Sequence, residues 1–452
     1  MMMHGRMNHN AHRTGIAATL CCALLGAISV LAGTGTMQAQ DTKQSAAAAT
    51  DMWHQPTMLN WGPAREKLAE HGLSYNFHYY AVALGNPNAP QGTDEHFGNW
   101  ERIRGTVDAD FGKFSAWHGL YFHATAVWQN GVDMGSVIGS IASPSGLISS
   151  HQFRLDSMTL TQNFVKDKVQ LTAGIMASQD LYGLDYYIGY FVAEPLFYNF
   201  GNMGNVRASY DPESAPAVNL KIVPSKSYFV QSGYFLPSDD GEQHKYPTGF
   251  NYKSGHHGAT FNIAAGYNTD ANAPKTRKSY PGVYQAGFIV NGSKAGSVSA
   301  TTGASGFFDY NQSKYVDGNH LFYLQANQPV YRVQAGSDRG LDAAFGVSTS
   351  PADKAKIPTQ YTAGLIFHAP IARRAKDSVA LGLVASPIGD AFNRYTVAHG
   401  GTALKNETLI ELNYRAQLTP WLSIQPVYQH YANVGGSKHD ANLAGFQFLS
   451  VF

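Results

Sequence analysis

The chain is poor in charge, in cysteine and in long apolar runs, and each shortage excludes something. Charged residues are 14% of the 452, against roughly 25% in ordinary soluble domains. Basic and acidic residues nearly cancel, at 32 against 31, and stand at 30 against 31 without Arg6 and Arg13. That balance offers no basic footprint for nucleic acid. The 2 cysteines, Cys21 and Cys22, both fall in an N-terminal apolar stretch. With that stretch removed on export, the chain can form no disulfide, thiolate metal site or cysteine nucleophile. Leu20 stands where lipidation of Cys21 would need a small residue. Beyond residue 31 no apolar run approaches the roughly 20 residues of a membrane helix, and mean hydropathy is −0.23.

Catalytic signatures are missing too: there is no Walker loop, no Gly-x-Ser-x-Gly elbow and no His-Glu-x-x-His helix. The 18 His are scattered, and the adjacent pair His256 and His257 (SGHHG) belongs to an expected tight turn, which suits a surface better than a ligand set. Neither a metal nor a cofactor is expected.

Aromatic residues and glycine are abundant instead. Phe, Tyr and Trp make up 12% of the chain, with 26 Tyr, 24 Phe and 46 Gly. A lipid-facing surface excludes charge and its interfacial girdles consume aromatics, so both deviations point the same way. The N-terminus reads as an export signal over residues 1–39: Arg6 and Arg13, an apolar region at 16–31 and a small-residue zone at 33–39 (GTGTMQA). Residues 40–60 read as a flexible polar and alanine-rich leader. Residues 61–72 read as a short periplasmic helix, with an early proline and a closing Gly72.

From residue 73 to residue 452 the period is two. Tyr75, Phe77, Tyr79 and Ala81 alternate with Ser74, Asn76, His78 and Tyr80, the signature of strands with one apolar face. Strands are expected near 73–83, 103–112, 119–129, 153–163, 169–176, 216–223, 227–236 and 250–255. Others are expected near 259–267, 320–332, 341–349, 359–368, 377–386, 406–417, 421–430 and 442–452, about sixteen in all. Their connections alternate short and long, with tight turns at 165–168, 224–226 and 418–420 and long segments at 130–152, 177–215 and 387–405. That layout predicts an all-β fold, a transmembrane antiparallel β-barrel with periplasmic turns and long extracellular loops. The ending, 444–452 (AGFQFLSVF), carries Phe446, Phe448 and Phe452 in alternation, with Ser450 out of pattern. It reads as the closing strand, a mark for the barrel-assembly machinery, and its partner should be the first strand near Tyr75 to Ala81.

Charges segregate by parity. Trp100, Arg102, Arg104, Asp108 and Asp110 share one face of their strand against Ile103, Val107 and Phe111. Arg154 and Asp156 oppose Phe153 and Leu155, while Glu407, Glu411 and Arg415 oppose Ile410, Leu412 and Tyr414. Mixed charges in a wet lumen present paired donors and acceptors to neutral polyhydroxylated solutes. For any one residue, bracing of the wall is the commoner role. The segment 177–215 is the candidate inward loop, with Asp185, Tyr186, Tyr187 and Glu194 among its aromatics and Arg207 following. Aromatic faces stack on sugar rings while charged groups bond hydroxyls; an aromatic plug is the plainer alternative.

Four motifs occur in order: Trp61, Gly62, Arg65, Leu68 and Gly72; the hairpin 107–131 (VDADFGKFSAWHGLYFHATAVWQNG); 219–237 (NLKIVPSKSYFVQSGYFLP); and 407–429 (ETLIELNYRAQLTPWLSIQPVYQ). In that order they resemble the carbohydrate-selective porins of the OprB family. The resemblance implies a sixteen-stranded barrel in the Gram-negative outer membrane that passes monosaccharides such as glucose passively, without cofactor or catalysis. Residues 268–319, which include 275–278 (KTRK) and a strand-like 284–290 (YQAGFIV), follow no family pattern. A general or anion-preferring channel, an outer-membrane enzyme and a secreted lectin are the competing readings, and association into a homo-oligomer stays open.

Overall fold

The computed structural model describes residues 63–87, 97–147, 152–183, 189–197, 200–236, 259–269, 282–296 and 315–452. The segment 1–60 therefore lies outside the described residues. So do the strand expected at 250–255, and Asp185, Tyr186 and Tyr187.

Helix α1 (Pro63–Glu70) precedes sixteen strands. They are β1 (Leu73–Gly85), β2 (Phe97–Asp110), β3 (Leu120–Gly131), β4 (Gln152–Phe164), β5 (Val169–Met176), β6 (Ala215–Ser225), β7 (Tyr228–Phe235) and β8 (Thr260–Asn268). Next come β9 (Val283–Gly296), β10 (Tyr315–Arg332), β11 (Gly340–Thr349), β12 (Thr359–His368), β13 (Ser378–Ser386), β14 (Glu407–Thr419), β15 (Leu422–Ala432) and β16 (Ala441–Val451). Short helices sit in the connections: α2 (Phe111–Phe114), α3 (Met134–Ile138), α4 (Glu194–Phe197) and α5 (Asp390–Ala398). Each strand pairs antiparallel with its sequence neighbours, and β1 pairs with β16 to close the barrel. Closure leaves no sheet edge, so every strand's backbone polar groups can be met within the wall.

The described strands number sixteen, and one of them, β9 (Val283–Gly296), holds the strand-like 284–290, where Tyr284, Ala286, Phe288 and Val290 alternate with the residues between them. The turn end, where β1 begins and β16 finishes, has the tightest connections and the opposite end the longest loops, although 350–358 and 433–440 there are no longer than 111–119 and 369–377 at the turn end. The β8–β9 connection, 269–282, breaks the alternation by being long at the turn end. The closing register sets Ala81 opposite Phe448 and Tyr79 opposite Ser450. Ser450 also faces Leu422 on the other side and is buried between these larger neighbours, so a small residue fits the outer wall there.

Parity separates the faces as alternation requires. On β2, Ile103 and Val107 are exposed on the outside, while Trp100 and Arg102 are buried on the inside. Exposed Phe77, Trp128, Phe153, Phe261, Phe345, Tyr361 and Leu412 continue the apolar outside around the barrel. In water such a surface would aggregate; against lipid it is the matching solvent. The β3–β4 register shifts between Thr125 and Ala126. This bulge places Asp156 toward the lumen alongside Ser157, two consecutive inward residues that strict alternation cannot supply.

Candidate functional site: a lumen narrowed by two inward loops

The described parts of the connection 177–214 fold into the barrel because their backbone finds partners there. Glu411 on β14 accepts from the backbone N–H of Val192 (2.8 Å) and Ala193 (2.7 Å). Gln425 on β15 donates to Tyr190 O at 3.0 Å, and Gln325 on β10 donates to Gly183 O at 2.8 Å. Gln360 on β12 accepts from Gly201 N at 2.8 Å, and Asn319 on β10 donates to Asn205 O at 2.6 Å. Inward amides and one carboxylate thus do for this loop what a ladder does for a strand.

Apolar anchors complete the fit. Phe191, Val192, Ala193 and Leu196 pack with inward residues of β1, β2, β12 and β13 through β16, while Tyr182, Phe200, Met203 and Val206 pack with β6 through β10. The wall leaves room for them at glycines. A Cβ on Gly382 would stand 2.4 Å from Leu196 Cδ1 and 2.8 Å from Phe191 Cε1, and one on Gly346 would stand 2.8 Å from Phe200.

The connection between β3 and β4 enters the same way. Glu407 accepts from Ile141 N (2.8 Å), Ala142 N (2.7 Å) and Gly435 N (2.7 Å), and Gln429 donates to Pro144 O at 2.9 Å. The two inward loops then join, Glu194 N to Ser143 O and Gly146 N to Val192 O, each at 3.0 Å. Glu407 and Glu411, read from sequence as lining the path, are therefore fully buried loop pins. Trp100 is likewise taken out of the path, in the apolar cluster with Met134, Leu147 and Phe191. Asp110 caps α2, accepting from Gly112 N at 3.0 Å. Arg207 closes the 3-10 turn Gly201–Val206 in a left-handed conformation, φ 53°.

Arg102, Arg104 and Asp156 do come together, and they meet a residue the sequence reading missed, Asp211. Arg102 Nη1 is 3.0 Å from Asp211 Oδ2, and its other nitrogens donate to Gln129 Oε1 and Leu147 O, both at 2.8 Å. Arg104 bonds Asp156 and lies 3.3 Å from the same Asp211 oxygen. The Arg102 side chain is 1% exposed and that of Arg104 12%, so Arg104 presents the cluster to the lumen. Burial pushes the Asp211 carboxyl up, but the two guanidinium groups outweigh it and hold it below the ordinary range. Asp180, on the same loop, is driven the other way, well above that range, by burial and then by Asp156 and Asp211. Arg154 is buried behind this cluster, with Nε and Nη1 unpaired among the described residues. Parity could not find Asp211 and Asp180, because loop residues have no parity.

Below the loops the lumen carries polar groups toward the turn end. Asp108, 42% exposed, holds His123 Nδ1 at 2.6 Å, and His123 Nε2 meets Thr125 Oγ1 at 3.1 Å. The distances resemble a hydrolase triad, but Thr125 is buried and its hydroxyl also meets Thr106, so the group is a polar column on the wall. The Tyr190 ring stands between His368, edge-on with centroids 5.1 Å apart, and the Arg415 guanidinium at 5.8 Å. His368 Nε2 is 3.0 Å from Asp342, which Arg332 also bonds. These residues put an aromatic face among charges of both signs.

Comparison with known proteins agrees with this geometry. The model of the carbohydrate-selective porin, OprB family matches residues 94–452. The chain belongs to that family. Porin B of Pseudomonas aeruginosa is 22% identical over 424 residues, covering 87% of this chain and 90% of that protein. The high-pH structure of Pseudomonas putida OprB superposes with a TM-score of 0.77 at 18% identity, covering 88% of this chain and 100% of that one. The low-pH structure gives 0.56 at 17% identity, covering 88% and 98%. Membership of the OprB family makes the chain an outer-membrane porin for carbohydrates, with its turn end on the side that is periplasmic in such barrels.

Proposed function

We propose that this barrel is a passive diffusion channel for monosaccharides, glucose foremost, without catalysis. The observation that carries it is the lumen itself. Two loops narrow it, and beside them lie a near-neutralised cluster of Arg102, Arg104, Asp156 and Asp211 and the Tyr190 ring between Arg415 and His368. Neutral polyols suit such a place, since hydroxyls can both donate to carboxylates and accept from guanidinium groups, and a ring face can stack on an aromatic. A passing solute also gains from contacts that are numerous but individually weak. Residues 1–39 would be removed on export, and the closing strand β16 would be read by the assembly machinery.

Reconstitution in planar bilayers tests the reading. Stable channels are expected whose conductance glucose reduces at millimolar concentration, with a smaller effect from a disaccharide. Arg104→Gln should change sugar block and ion preference more than Lys275→Gln. Steady chloride preference with no sugar effect would replace the proposal with an anion-preferring channel, and robust lipid or peptide hydrolysis by the purified protein would replace it with an enzyme.

A further inference from the structure

The turn end carries a charge that the sugar path does not use. Its described connections, 111–119, 165–168, 226–227, 333–339, 369–377 and 420–421, hold eight Lys and Arg against three Asp. The described connections at the loop end hold six Lys and Arg against eight Asp and Glu. Three of the eight turn cations are engaged within the protein. Lys113 donates to Ala69 O (3.0 Å), Arg339 to Ala369 O (3.0 Å), and Arg374 to Asp377 (3.1 Å) and Gln417 O (3.2 Å). The other five, Lys166, Lys168, Lys226, Arg373 and Lys376, are exposed and unpaired among the described residues. Acidic groups offset them only in part: Asp377 is taken by Arg374 and Tyr414, leaving Asp167, which accepts from Asn163 at 2.9 Å, and Asp338 against these five cations.

A second observation fixes the depth of this charge. The same turns expose large apolar side chains, Val165 at 69%, Trp117 at 63% and Ile371 at 52%; Lys166 and His118 follow the first two directly in the chain, and Arg373 comes two residues after Ile371. Apolar groups with a tryptophan, flanked by long basic side chains, mark the level where acyl chains give way to headgroups.

We propose that the turn end is a cationic collar that binds anionic glycerophospholipid headgroups of the leaflet it faces. Val165 and Ile371 reach the acyl boundary, while Lys166, Lys168, Lys226, Arg373 and Lys376 meet the phosphates. A surface cation favours an anionic lipid about fivefold, diluted when averaged over all lipids around the barrel, and salt screens it over about a Debye length.

The test uses the whole barrel in phosphatidylcholine bilayers with spin-labelled phosphatidylglycerol, reading its association relative to labelled phosphatidylcholine. A preference of about twofold or more is expected, lost in molar salt. Arg373→Gln with Lys376→Gln should bring it toward parity, while the matched loop-end pair Arg394→Gln with Lys438→Gln should leave it. Lys166→Gln with Lys226→Gln serves if the first pair does not insert. Absence of preference, equal loss from the loop-end pair, or displacement by millimolar inorganic phosphate would each overturn the collar. Sugar block is expected to be the same in every variant, so this result and that of the sugar channel are read separately.

Discussion

Truncation of Glu411 to Ala should free the tip of the inward loop while the barrel stands. The carboxylate accepts from Val192 N (2.8 Å), Ala193 N (2.7 Å), Asn413 Nδ2 (2.7 Å) and Gln429 Nε2 (3.0 Å), with no exposure to solvent. Its loss orphans two backbone donors, at about 1–3 kcal/mol each. The closed loop is therefore destabilised by about 2–6 kcal/mol, less whatever an entering water recovers. The apolar anchors Phe191, Val192 and Leu196 are untouched, so the loop loosens rather than leaves. At about 3 kcal/mol the open-to-closed ratio rises about 100-fold. The wall bonds of β14 use backbone groups and survive. Amide exchange at Val192 and Ala193 should quicken, and single-channel conductance should rise and become noisier. Glu411→Gln keeps one acceptor oxygen but turns an NH2 toward the second donor, and should fall between. Wild-type amide protection together with unchanged conductance in Glu411→Ala would refute the pin.

Three further outcomes follow from the same geometry. Burial, and then Asp133, pushes the Glu194 carboxyl up to about 7. A raised acid favours the folded loop fully below its unfolded value and loses that contribution as pH rises through about 7. Corrected exchange over 190–197 should therefore be slower at about pH 5 than at about pH 8, by on the order of 2 kcal/mol, and Glu194→Gln should remove the difference. Gly382→Val would press on Leu196 and Phe191, whose atoms already lie 2.4 and 2.8 Å from an added Cβ. It should raise conductance, with about 1–3 kcal/mol lost from loop packing. Arg65, which bonds Tyr75 O at 2.7 Å and the Asn76 side chain, ties α1 to the seam strand β1. Arg65→Ala loses about 1–3 kcal/mol of bonding and should lower the temperature of heat modification on gels.

The barrel was legible in the sequence because membrane strands obey a local rule. Lipid outside and water inside impose a period of two that each strand carries within itself, visible at Arg102, Ile103, Arg104 and again at Glu407, Ile410, Glu411. Strand β9, in the stretch without a family pattern, shows it too, and the tight turns betray which end is which. Facing alone could not say what an inward side chain does. Glu411 and Arg104 look alike by parity, yet one is consumed by loop backbone and the other reaches the lumen.

What the sequence determined by itself was thus the barrel, its two ends, the inward face and the segment 177–215 as the loop to watch. Only the tertiary structure decided the site, bringing Asp211 to Arg102 and Arg104, setting Tyr190 between His368 and Arg415, and spending Glu407 and Glu411 on the loops. The physical reason is that strand facing depends on neighbours in the chain. The position of a long loop is set instead by buried backbone groups that must find partners on walls far away in sequence.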